Sequence, residues 1–183
     1  SNAWTSNDVT NYYEILPAHN VETAFWLESD RLLNLTLSDE AIAVQKSVVI
    51  EEFKQRHLNK PYGDLSHLMS ALAYTKHPYR WPVIGKDISH IAEASNDEIR
   101  QFFHRHYSVD NMVMCVSGNV TLERAVELAE KWFGDIERGN VTPRNLPQEP
   151  RQVEARVQRV HREVPENVLS FGFHMCGINN PDY

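Results

Sequence analysis

The sequence predicts an α+β fold, with two layers and helices packed on one face of a mostly antiparallel sheet, incomplete at both ends. Three observations carry that prediction. Strand-like and helix-like segments do not alternate: the order is strand, three helices, helix, strand, helix, long loop, strand, strand. Hydrophobic residues make up 42% of the 183 and aromatics 10%, enough for a core and too much for a disordered chain. No internal repeat or low-complexity tract points to another architecture.

The elements follow in order. Val9 to Leu16 is rich in Thr, Tyr and Ile, is closed by Pro17, and reads as a strand. Asn20 can cap a helix to about Leu35, with Val21, Ala24, Phe25, Leu32 and Leu35 near one stripe. Ser38 can cap a long second helix through about Leu58. Pro61-Tyr62-Gly63-Asp64 interrupts the pattern, and a third helix follows from about Leu65 to Tyr74. His77 to Gly85 is a loop with bulky anchors. Ser95-Asn96-Asp97-Glu98 is a capping-box sequence that opens a helix to about Tyr107, with Ile99, Phe102 and Phe103 expected to face inward. Met112 to Val116 is a short apolar run that suits a buried strand. Thr121 caps the next helix, with Leu122, Ala125, Val126, Ala129 and Trp132 at helical spacing and Gly134 as its stop. Asp135 to Gln152 is a polar, proline-bearing connection. Two strands are expected to follow, from Val153 to about Val164 and from Val168 to Met175, joined by a turn at Pro165-Glu166-Asn167.

Composition excludes several functions. Lys plus Arg is 18 against 25 Asp plus Glu, giving a net charge of −7. No basic face is available for a phosphate backbone, so nucleic acid is not an expected partner. No apolar run reaches the roughly 18 residues of a membrane span. Two cysteines are too few for a disulfide framework or a thiolate zinc site. Ser1-Asn2-Ala3 resembles the residue of an expression tag, leaving 4–183 as one truncated domain. Both ends read as cut.

Nine histidines invite a search for a metal site. A helical zinc pair needs two ligands three or four residues apart, and no His pair has that spacing. Glu52 is more informative. On a 3.6-residue period Gln45, Val48, Val49, Glu52 and Arg56 share a face, bordered by Ile42 and Phe53. Glu51 is rotated by about 100° towards the polar side. A carboxylate on an apolar face is costly unless it is paired or binds a metal. The plain alternative is an i,i+4 ion pair between Glu52 and Arg56.

Several segments together resemble the pitrilysin/insulinase-type zinc peptidases, the family that includes mitochondrial processing peptidase. They are Ala3 to Tyr13, Leu27 to Leu32, Val48-Val49-Ile50-Glu51-Glu52, Phe102 to Tyr107 with Asp110 to Val113, Ser117-Gly118-Asn119-Val120, and Trp132 to Ile136. Residues 51–64 and 78–87 look most like bacterial members. The resemblance implies a fragment of the N-terminal, zinc-bearing half of an endopeptidase that uses a zinc-activated water. It implies Glu52 as the third zinc ligand, downstream of an H-x-x-E-H helix that this chain lacks. Catalytic residues are therefore expected to be absent, and the chain alone is expected to be inactive and a poor zinc binder. Gln45 stands seven residues before Glu52, where many active relatives carry a Glu. It can hydrogen-bond a ligand but brings no charge. Ala3, Trp4 and Thr5 match the family's substrate-binding segment, where an extended peptide is added as a strand. A peptide or protein substrate and a second homologous half or partner subunit are implied. The compartment is left between bacterial periplasm and cytoplasm, with the periplasm slightly favoured. Two alternatives stand beside this reading: a noncatalytic partner or scaffold half of the same family, and an unrelated acidic α+β binding module.

Overall fold

The computed structural model describes residues 1–139, 141 and 143–183. The fold is mixed α and β, with six α-helices and a two-stranded antiparallel sheet among the described residues. The chain divides into two compact units. One holds residues 1–44 and 94–144, the other residues 45–93 and 145–183.

The first unit begins with a hairpin of β1 (Asn2–Thr5) and β2 (Thr10–Tyr13), in which Ala3 faces Tyr12 and Trp4 faces Asn11. The Ser6 hydroxyl accepts bonds from the amides of Asp8 and Val9, which closes the turn. Helix α1 (Val21–Leu33) starts after Asn20, whose side chain makes no cap bond. Helix α5 (Asn96–His106) carries the capping box as read: the Ser95 hydroxyl accepts from the Glu98 amide, and the Glu98 carboxylate accepts from the Ser95 amide. Helix α6 (Leu122–Phe133) is capped by Thr121, whose hydroxyl accepts from the Arg124 amide. Helices α1 and α6 pack on each other, with Phe25 and Phe133 edge to face at 6.5 Å. Leu128, fully buried, is the centre of α6's packed side. The helical spacing had suggested Leu122 and Val126, which are exposed. Phe103 is buried, but Phe102 faces solvent, because residues one apart on a helix point about 100° apart and only one of them meets α5's packed side.

Helix α2 (Asp39–Phe53) begins in the first unit and ends in the second. The Ser38 hydroxyl accepts from the Ala41 amide at its start, as expected of a cap. Its tail, Lys54–Leu58, is wound as a π-helix. In the second unit, α3 (Leu65–Ala73) follows a tight turn in which Tyr62 has φ +61°, and a short α4 (Ile88–Ala92), which the sequence pattern missed, is capped by Asp87.

The expected strands at 112–116, 153–164 and 168–175 form no ladder among the described residues. Their side chains are largely exposed. A helix satisfies its backbone within one segment, whereas a strand needs a partner from elsewhere, and an apolar pattern alone does not supply one.

Candidate functional site

Glu52 sits on the last turn of α2, immediately before the π-helical tail. Its carboxylate is 38% exposed, against 61% for that of Glu51. The periodicity therefore separated the two glutamates in the right sense, but Glu52 is not inward-facing. The buried edge of α2 is marked by Ile42 and Phe53, which the sequence had placed only at the border. Gln45 and Val48 are exposed and Val49 is half-buried. The reason is rotational: Val48 and Glu52 are turned away from the stripe marked by Ile42 and Phe53, on which Val49 also lies. Glu52 Oε1 lies 2.8 Å from an Arg56 guanidinium nitrogen, the i,i+4 pair of the plain alternative. Such a pair contributes only about 0.3–0.5 kcal/mol at this exposure and leaves the carboxylate easily re-directed.

What surrounds this turn is better ordered by contacts than the carboxylate itself. The rings of His57 and His67 stack with centroids 4.0 Å apart, and Phe53 packs on both, at 5.3 and 6.5 Å. His57 Nδ1 is 3.0 Å from the Gly63 carbonyl oxygen and donates to it. Burial, and then the neighbouring His57, push the His67 pKa below its ordinary value. A π-turn of this kind is rare and recurs at functional sites, where it re-aims the side chains beside it. Sequence reasoning missed both the π-turn and the histidine stack. The spacing His57 to His67 carries no signal, because the two rings meet only through the Pro61–Asp64 turn.

In the first unit, Ala3, Trp4 and Thr5 form β1, which is exposed throughout and paired on one side only among the described residues. Its other edge has no ladder partner among the described residues, although the Ala3 amide donates to Asn2 Oδ1 at 2.8 Å. β2 is fixed from behind. The Tyr12 and Tyr107 hydroxyls are 2.7 Å apart, and the Arg31 guanidinium lies 4.4 Å from the Tyr12 ring centre. Arg31 is held by two bonds to Glu28, at 2.9 and 3.2 Å. Burial and then the hydrogen bond with Tyr12 raise the Tyr107 pKa. Leu27 to Leu32, one of the resembling segments, thus acts as the brace of the hairpin.

As a metal centre the chain is incomplete. Among the described residues there is no group of three or more His, Cys, Asp or Glu placed to hold an ion. Glu52 can offer one carboxylate, whereas zinc catalysis uses three protein ligands. The donors present do not by themselves make a zinc site.

Comparison with known proteins gives consistent results. A family model described as "Peptidase M16 inactive domain" matches residues 93–183. Zinc protease PqqE of Helicobacter pylori is 30% identical over 187 aligned residues, covering 100% of this chain and 41% of that protein. The mitochondrial-processing peptidase beta subunit of Saccharomyces cerevisiae is 26% identical, covering 100% of this chain and 40% of the relative. The crystal structure of a protease from Helicobacter pylori superposes with a TM-score of 0.72 at 28% identity, over 81% of this chain and 35% of that one. The first half of the periplasmic protease PqqL from Escherichia coli shares the fold, with a TM-score of 0.66 at 18% identity, over 84% of this chain and 32% of its own. The chain belongs to the M16 peptidases, the family its motifs resemble. It spans about two fifths of the length of the curated relatives it matches. An unrelated acidic module is thereby excluded.

Proposed function

We propose that this chain is part of a zinc-dependent endopeptidase and cleaves no peptide bond by itself. The observation that carries the reading is the alignment of the entire chain with a zinc protease that is more than twice its length. The match of residues 93–183 to a domain described as inactive supports the second half of the statement. In the parent, Glu52 is the third zinc ligand, freed from Arg56 when the ion is bound. Gln45, two turns back on α2, hydrogen-bonds a ligand there without adding charge. A zinc ion held there in the parent would supply Lewis acidity for peptide hydrolysis. The free edge of β1 at Ala3, Trp4 and Thr5 takes the substrate as an added strand, and a second homologous half or subunit encloses it. Residues 112–116, 153–164 and 168–175 are strands of a larger two-layer sheet covered by helices on one face. Gln45 in place of a Glu favours a second reading, a noncatalytic half that pairs with an active one, because it brings no charge beside the ligand.

Two measurements test the proposal. Incubated with zinc and an unfolded protein, the isolated chain gives no cleavage above buffer; turnover by the chain alone would refute its second half. In the full-length parent, Glu52→Gln removes both bound zinc, read by elemental analysis, and peptidase turnover. Unchanged zinc content in that variant defeats the ligand assignment, and a parent inactive before mutation establishes the noncatalytic reading.

A further inference from the structure

Two helices of the first unit meet β2 through a single side chain, Tyr12. Tyr107, just past α5, stacks on the buried Phe103 with ring centres 4.6 Å apart, so the core of that helix fixes its ring. The Tyr107 hydroxyl is 2.7 Å from that of Tyr12, and the two rings meet edge to face at 6.2 Å. Arg31, near the end of α1, lies over the Tyr12 ring and is kept there by its ion pair with Glu28, one turn back. Tyr12 in turn stands directly opposite Ala3 in the β1–β2 ladder. The turn of the hairpin has its own attachment, from Arg144 to the Asp8 carbonyl oxygen at 3.2 Å. All of these contacts lie within one compact unit.

We propose that Tyr12, Tyr107 and Arg31 are positioning residues for the substrate: they seat β1 where it can pair with an extended peptide, and so set how tightly that peptide is held. This rests on the reading of Ala3, Trp4 and Thr5 as the substrate strand. A two-stranded hairpin is marginal by itself in water, so its attachment to the helices decides how much of the time its edge is in place. A peptide pairs only with the seated hairpin, and its apparent affinity falls in proportion to the fraction seated. An added strand makes the same backbone bonds before and during peptide cleavage. Such uniform binding sets KM and leaves kcat alone. The two tyrosine hydroxyls share one bond, so removing either loses the same interaction. Arg31 acts through Tyr12. A Lys in its place could not both stack on the ring and make two bonds to Glu28.

The test uses two variants that each delete one hydroxyl, Tyr107→Phe and Tyr12→Phe, and their double. Circular dichroism melts establish that each is folded. In hydrogen exchange of the 183-residue chain, the β1 and β2 amides are expected to lose protection about two- to fivefold, the worth of one half-buried hydrogen bond, while α6 keeps its own. In the full-length parent, KM for an extended unfolded peptide is expected to rise about two- to fivefold with kcat unchanged, by the same factor in both single variants and in the double. In a parent without turnover, the same rise is read as Kd by fluorescence anisotropy of the labelled peptide. Unchanged protection of the hairpin overturns the proposal, as does a fall in kcat at constant KM or a double variant that sums two separate effects. The peptide bound to the unmutated parent is expected to protect residues 2–5. Absence of that protection defeats the reading of β1 as the substrate strand; protection there with an affinity indifferent to both variants overturns the positioning role alone.

Discussion

Replacing Gly63 with Ala isolates the turn that supports the candidate ligand. A β-carbon at this position would lie 2.7 Å from the Arg56 carbonyl oxygen, 2.8 Å from that of His57 and 3.0 Å from the His57 Cα. All three are backbone atoms of the π-helical tail, so no side chain can swing aside. Ordinary contact begins at 3.4 Å, so turn and tail must separate by 3.4 − 2.7 = 0.7 Å. Overpacking of this kind costs about 1–3 kcal/mol. The same retreat stretches the 3.0 Å bond between His57 Nδ1 and the Gly63 carbonyl, a further ~1 kcal/mol. At roughly 2–4 °C per kcal/mol for a chain of this length, the melting temperature falls by about 4–16 °C. The assay is thermal unfolding by circular dichroism, with the His57 and His67 ring resonances followed by NMR. The reasoning fails if the variant melts within a degree of the parent chain and neither ring resonance moves.

Other outcomes follow from the same contacts. Leu128→Ala empties the fully buried position of α6 and should cost about 2–5 kcal/mol in denaturant unfolding. Phe103→Ala should cost about 3–5 kcal/mol while Phe102→Ser stays within about 0.5 kcal/mol, which distinguishes the packed side of α5 from its wet side. His67 has a depressed pKa in the folded chain, so below its unfolded value the unfolded state binds more protons. Stability should therefore decline as pH falls through about 6.5, level off below the folded pKa, and lose that dependence in His67→Gln; an NMR titration of His67 at or above the usual value contradicts this. Glu149 accepts bonds from the amides of Thr75, Lys76 and His77 at 2.7, 2.8 and 2.8 Å and from the Thr75 hydroxyl at 2.7 Å. Burial raises its pKa, but these donors outweigh that and bring it down to about 2. The stability it lends is present above the ordinary carboxylate value and lost as pH falls towards 2. Glu149→Ala should make trypsin cleavage at Arg151 several-fold faster at neutral pH, and an unchanged rate would show that the latch does not hold the segment.

Sequence alone determined whatever depends on neighbours a few residues apart. The Ser95–Glu98 box, the Ser38 and Thr121 caps and the helical runs that follow are local, so residue type and spacing specify them. The peptidase kinship was legible for a different reason: several short segments occur in one order along the chain, and the comparisons bear it out. Only the tertiary structure decided how exposed Glu52 is, because a helix face is buried or wet according to what packs on it and not according to its period. The His57–His67 stack, the Glu149 latch and the place of Leu128 are meetings of residues from separate elements, and no pattern within one element encodes them. The strands at 112–116, 153–164 and 168–175 are the converse case. Their apolar patterns, a continuous run at 112–116 and alternation in the later two, are plain in the sequence, but a strand exists as such only when a second backbone lies beside it to complete its hydrogen bonds.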